Sequence, residues 1–174
     1  MEITPEERFG LTINGRCVRT PIVIASMAGI VDAAYVLKRA DHVGMAFIGG
    51  YSIDGPALEA SRMMAAEGRD EFLFEDPVSE IGHQLDLLKE SDIIAGINIR
   101  ASSPEAYRDV AKSLGKEPVY EIDAHCRQVP IVRAGCGEYL LTDPVKLISC
   151  IKALKLEKVT VSVKMRAGVS QDDA

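Results

Sequence analysis

Five short apolar runs punctuate the chain: Pro21–Ala25 (PIVIA), Gly44–Gly49 (GMAFIG), Ile93–Ile99 (IIAGINI), Val119–Ile122 (VYEI) and Val159–Val163 (VTVSV). Each has the length of a strand and is too short for a typical helix. None alternates cleanly between apolar and polar residues, the pattern of strands covered on both faces. Helical stretches lie between them. Asp32 to Ala40 reads as one helix. Asp54 caps a second, with Pro56 in its first turn and Ala57–Glu67 continuing it to Gly68. Pro77–Lys89 carries Ile81, Leu85 and Leu88 on one stripe. Ser103-Pro104-Glu105 opens a fourth helix that runs to Gly115. Thr142-Asp143-Pro144 opens a fifth, through Leu156, with Leu147, Ile148, Ile151 and Leu154 as its buried face and Cys150 beside them. Strand then helix, repeated with short connections, dictates parallel strands and right-handed crossovers. Two architectures fit this α/β pattern: a doubly wound sheet, or an incomplete (β/α)8 barrel of the TIM-barrel type with about five parallel strands present. The absence of GxGxxG after the first strand argues against a dinucleotide-binding unit, and no GxxxxGK[ST] occurs.

Composition narrows the partners. With 174 residues, 47% hydrophobic and 26% charged, residues 1–174 can bury a core as one domain or part of one. A net charge of -6 is a poor electrostatic footprint for tight nucleic-acid binding. The first ten residues are polar and charged, without the apolar centre of a secretory leader, and Cys17, Cys126, Cys136 and Cys150 form no CxxC pair. Both points favour a cytoplasmic setting with free thiols. No run of about 18 apolar residues is present to span a membrane. Asn14-Gly15 predicts a short hairpin over Leu11–Arg19.

The stretch Val119 to Gly137, VYEIDAHCRQVPIVRAGCG, carries the densest chemistry. Its apolar strand stops abruptly at Asp123, His125, Cys126, Arg127 and Gln128, and it ends in a Gly-rich turn. Parallel α/β folds place their sites at the C-terminal ends of strands, where the loops converge. Other strand ends offer Ser26-Met27-Ala28-Gly29, small enough for a flat ligand to reach the backbone, and Asn98, the one polar side chain of its run. The fifth strand ends at Lys164-Met165-Arg166. Asp123 is read as accepting a hydrogen bond from its own loop. Gly50-Tyr51-Ser52 is read as a loop, Glu67 to Asp76 as a solvated acidic loop, and Arg100, Arg127 and Arg133 as scattered surface arginines. A metal held by His125, Cys126 and Cys136 is disfavoured, because neighbouring residues on an extended segment point apart.

In order along the chain, PIVIASMAG, EIDAHCRQ, the turn Gly135-Cys136-Gly137, LLTDP and VSVKMRAG resemble the dihydrouridine synthases, FMN-dependent TIM barrels that reduce uridine in transfer RNA. The His125-Cys126-Arg127-Gln128 variant resembles a shorter archaeal branch related to them. The resemblance implies FMN, with Ser26, Met27 and Ala28 lining the flavin ring, Asn98 meeting its pyrimidine edge and Lys164 donating to it. It implies a pyrimidine substrate, possibly within tRNA, met by His125, Gln128 and Arg166. In the family motif Asn-x-x-Cys-Pro, the cysteine protonates the substrate. Here His125 holds the Asn position and Gln128 the Cys position, and Gln has no acidic proton to give. Cys126 and His125 are the candidate acids. The loop from Cys126 to Gly135 is about two residues shorter than in the family. The family's later barrel strands and its RNA-binding domain have no counterpart in the sequence, so truncation, or a second copy covering the open strand edges, is expected. Two alternatives stand beside this reading: a non-catalytic binding remnant on the same fold, and a flavin barrel like dihydroorotate dehydrogenase that acts on a free pyrimidine.

Overall fold

The computed structural model describes residue 3 and residues 10–169. The polar lead-in expected over residues 1–10 lies almost wholly outside the described residues. β1 (Thr12–Ile13) and β2 (Arg16–Cys17) pair antiparallel as the expected hairpin. Its turn residues Asn14 and Gly15 have φ of 51° and 75°, the conformation a two-residue hairpin turn requires.

The main sheet follows: β3 (Val23–Ile24), β4 (Met45–Ser52), β5 (Ile94–Arg100), β6 (Val119–Ala124) and β7 (Thr160–Met165). The strands lie side by side in that order, every neighbouring pair parallel. A doubly wound sheet must reverse its order at a switch point. This one never does. The fold is a mixed α/β domain whose five-stranded parallel sheet is consistent with an incomplete α/β barrel.

The crossovers carry α1 (Ala33–Leu37), α2 (Gly55–Ala66), α3 (Pro77–Leu88), α4 (Pro104–Leu114), α5 (Val129–Arg133), α6 (Tyr139–Thr142) and α7 (Pro144–Leu156). Start signals act as the sequence predicts. Asp54 accepts from Ala57 N at 3.1 Å, Ser103 from Ala106 N at 3.3 Å and Asp143 from Lys146 N at 3.0 Å. Each cap is followed by a proline in the first turn. No helix among the described residues is long and apolar enough to cross a membrane.

The two faces of the sheet differ. Ala46, Ile48, Ile97, Ile99, Tyr120 and Ile122 pack against the helices, with Ile81, Tyr107, Val110 and Leu154 opposite them. On the other face, at the N-terminal ends of the strands, Met45, Phe47, Ile94 and Val119 join Val18 and Ile13 from the hairpin segment. Asn14 reaches over from the hairpin turn to accept from Thr160 Oγ1 and to donate to Glu117 O at 2.8 Å. This end of the inner face is thus closed by apolar side chains. Strand alternation then brings Asn98, Arg100, Glu121, Asp123 and Lys164 onto the same face toward the C-terminal ends.

Several expectations need correcting. The first strand was expected to be buried, but it shrinks to two residues. As an edge strand it leaves Ile22 at 55% and Val23 at 48% exposure. Gly50-Tyr51-Ser52 is strand, not loop: β4 runs on through a bulge, because Tyr51 packs on Phe74 and Ser52 bonds to a buried arginine. The first helix stops at Leu37 and gives way to a 3-10 turn at Ala40–His42. The acidic stretch also folds into a 3-10 turn, Asp70–Phe72, with Phe72 buried. On α7 the buried face is rotated: Ile148 is half exposed, while Cys150, Ala153 and Leu154 point inward.

Candidate functional site

The C-terminal ends of the strands surround a cavity of about 410 Å³. The residues that the sequence resemblance assigns to flavin, substrate and proton transfer all line it. Ser26, Met27 and Ala28 come from the loop after β3, and Asn98 from β5. His125, Cys126, Arg127 and Gln128 follow β6, Lys164 lies near the end of β7, and Arg166 follows that strand. Arg69, Phe72, Gly49, Gly50, Arg100 and Asp123 complete the wall.

One hydrogen-bond network forms the floor. Lys164 Nζ donates to Ser26 O at 2.7 Å and to Ser26 Oγ at 3.1 Å. Ser26 Oγ donates to Glu121 Oε1 at 3.3 Å, and Asn98 Nδ2 donates to the same oxygen at 2.8 Å. Burial raises the Glu121 carboxyl above its ordinary value, against the opposing pull of Asn98, Lys164 and Ser26.

A second network centres on Arg100, which is buried and not on the surface as the sequence suggested. Its Nη1 lies 3.2 Å from Asp123 Oδ2, its Nε 2.9 Å from Ser52 Oγ and its Nη2 2.6 Å from Gly50 O. The bulge makes the last contact available: Gly49 pairs with Asn98 and Tyr51 with Ile99, so Gly50 falls outside the ladder. Two guanidiniums lie over the Phe72 ring, Arg100 at 4.8 Å and Arg69 at 4.7 Å from its centroid.

Asp123 does take up its own loop, as expected. Its Oδ1 accepts from His125 N at 3.1 Å and Cys126 N at 3.0 Å. The same oxygen is 2.8 Å from His125 Nδ1, close but misaligned for an N–H···O bond, so that ring nitrogen is buried without a hydrogen-bond partner. Burial alone would raise the Asp123 carboxyl. The His125 ring, the Arg100 guanidinium and the His125 backbone N–H prevail and hold it at about 2. Burial, reinforced by the Asp123 charge, pushes the Cys126 thiol up, so it is protonated at neutral pH.

The remaining candidates lie elsewhere. Arg133 is exposed on α5. Cys136 is buried with Ala57, Ala60 and Ile131, its thiol pushed up to about 12 by burial. Among the described residues no three histidine, cysteine or acidic side chains could hold a metal ion. The sequence reading missed Glu121, the burial of Arg100, and the Arg69–Phe72 wall. The first two were within reach. Glu121 and Asp123 stand two apart on one strand, as do Asn98 and Arg100 on the next, so each pair shares a face.

A parallel α/β domain with a polar pocket at its strand ends is the class that fold and site define. No protein-family model matches the sequence. An uncharacterized protein of Methanocaldococcus jannaschii is 30% identical over 148 residues, which cover 83% of this chain and 57% of that protein. The chain therefore spans less than two thirds of the length of this curated relative.

Proposed function

We propose that the chain forms five strands of a TIM-type (β/α)8 barrel that binds FMN and acts as an oxidoreductase resembling the dihydrouridine synthases. The observation that carries this reading is the polarity of the pocket floor. Lys164 Nζ has spent two of its three donors on Ser26, which leaves one for a ligand. Asn98 has turned its amide nitrogen to Glu121, which leaves its carbonyl oxygen to accept. The floor thus offers one free donor and one free acceptor, the two kinds of partner that the C=O and N–H of an imide require, and both a flavin ring and uracil have one. The cavity volume is also in the range of small-ligand sites, roughly 300–1,000 Å³.

With FMN bound, the flavin would supply hydride exchange with the uracil C5–C6 bond. Ser26, Met27 and Ala28 would line the ring, Asn98 would hold its pyrimidine edge, and the Lys164 cation would offset negative charge on the reduced form. Arg127, which forms no ion pair among the described residues, is available for a phosphate. His125, Gln128 and Arg166 would face the substrate. Gln128 cannot supply the second proton, so the acid must be His125 or Cys126. His125 is better presented: it is half exposed at the cavity and steadied by the Asp123 charge. Cys126 is protonated but packs partly into the apolar cluster around Ile131.

One observation favours a second reading. The wall gathers Arg69, Arg100, Arg127, Lys164 and Arg166 in a chain of net charge -6, which suits a small anionic pyrimidine acted on by a dihydroorotate-dehydrogenase-like flavin enzyme. The test is anaerobic reoxidation of the reduced, FMN-loaded protein, with uridine-containing RNA and with a free pyrimidine carboxylate as oxidants. Reoxidation by RNA supports the first reading, and reoxidation by the carboxylate alone supports the second. Reoxidation by neither, with flavin firmly bound, reduces the chain to a binding protein. In the productive case His125→Asn slows the step by about 10²–10⁴-fold and leaves flavin binding unchanged; if Cys126→Ala does so instead, the acid is Cys126.

A further inference from the structure

We propose that Glu121 is the positioning residue of this pocket, fixing which way Asn98 and Ser26 present their hydrogen-bonding atoms to a ligand. The assignment rests on the imide-binding reading only for the identity of the ligand. The direction of the network is set within the protein.

Glu121 does not line the cavity. It lies beneath it, buried, while its partners Ser26 and Asn98, and Lys164 beyond them, all reach the cavity wall. An ionised carboxylate can only accept hydrogen bonds. Both bonds made here end on one oxygen, Oε1, at 2.8 Å from Asn98 Nδ2 and 3.3 Å from Ser26 Oγ. The Asn98 amide must therefore turn its nitrogen down, and its oxygen is left toward the cavity. That oxygen has no donor among the described residues. The Ser26 hydroxyl must give its single proton to Glu121, so toward Lys164 it can only accept, which agrees with the 3.1 Å contact. One buried charge thus orders the chain Lys164 to Ser26 to Glu121, with Asn98 converging from the other side. Gly50 leaves room for this: a Cβ there would sit 3.1 Å from Asn98 Oδ1 and 3.2 Å from Arg100 Nη1.

Protonating Glu121 would end the constraint. A neutral carboxyl can donate, and both Asn98 and Ser26 could then reverse. The charged and titratable groups around Glu121 are Lys164 on β7, Asp123 on its own strand, Arg100 on β5, and His125 and Cys126 on the loop after β6. Asp123 is already ionised well below the range in which Glu121 titrates. His125 is the group to control for, and the His125→Asn background removes it.

The first experiment follows the side-chain NH₂ resonances of Asn98 by NMR through a pH titration of the ligand-free chain in the His125→Asn background. They are expected to shift with a single midpoint above the ordinary carboxylate range, and Glu121→Gln should abolish that shift. A pH-insensitive Asn98 amide, or an unchanged curve in Glu121→Gln, overturns the proposal. If Glu121→Gln does not fold, the titration without that substitution decides alone. The second experiment measures FMN affinity across the same range. Affinity should weaken as pH falls through the Glu121 midpoint, and Glu121→Gln should bind roughly tenfold more weakly at neutral pH, the loss of one well-placed hydrogen bond, with no pH dependence. A merely structural Glu121 would change the melting temperature and leave the shape of that profile intact. A chain that binds no FMN at any pH sinks the flavin reading, while the amide titration still decides the role of Glu121.

Discussion

Arg100 and Asp123 form an ion pair with side-chain exposures of 2% and 1%. Desolvation makes such a pair a weak source of net stability, but breaking it strands a buried charge. Arg100→Met leaves Asp123 ionised in the interior and is expected to cost about 3–5 kcal/mol at neutral pH, read by chemical denaturation; a variant as stable as wild type would contradict the arrangement. The pH dependence has a definite sign. The folded-state carboxyl of Asp123 sits at about 2, below the ordinary 3.8, so folding favours the ionised form. Its contribution, about 2 kcal/mol, is complete above about pH 5 and disappears as pH falls through the folded value near 2. In Asp123→Asn that acid-limb loss should be missing from the stability curve, although the variant starts from a lower plateau.

The elements show how much of this was legible. Strand and helix order, the caps at Asp54, Ser103 and Asp143, and the hairpin at Asn14-Gly15 rest on local chemistry, and local chemistry can be read from sequence. The strand-end location of Ser26, Asn98, His125 and Lys164 was legible for the same reason. The bulge in β4 was not. Gly49-Gly50 looks like a loop until Tyr51 finds Phe74 and Ser52 finds Arg100, and those partners lie far along the chain. Arg100 misled for a similar reason: its counter-charge Asp123 sits on the neighbouring strand, and only the ladder brings them together. The stretch after β6 was read as a loop ending in a Gly-rich turn, yet it holds α5 and α6 and is pinned at Gly137. That residue has φ of 62°, and a Cβ there would fall 2.3 Å from Cys126 O. Gly137→Ala must therefore displace the His125–Cys126 segment. The expected result is a destabilisation of about 1–3 kcal/mol with a perturbed His125 ring resonance. An unchanged ring environment would mean that the loop is not held from this side.

At the scale of the whole molecule, the sheet has two outer edges without a partner strand among the described residues. β3 leaves Ile22 and Val23 exposed, and β7 is only half covered and ends in exposed Met165. Exposed apolar strand edges are templates for association. The chain is therefore expected to associate reversibly with rising concentration in sedimentation velocity, and Val23→Lys should shift it toward monomer at unchanged melting temperature. Equal association in that variant would place the contact elsewhere, the exposed Val145, Ile148 and Leu156 of α7 being the next surface to test.

The proposed flavin site at the strand ends of this sheet rests on Ser26, Asn98 and Lys164. It is tested most directly by titrating the purified chain with FMN and following flavin fluorescence, with Lys164→Met and Asn98→Ala measured alongside. Saturable quenching is expected, with an affinity that weakens roughly tenfold or more in each variant. Fluorescence that stays at the value of free FMN would rule this site out, as would quenching indifferent to both substitutions.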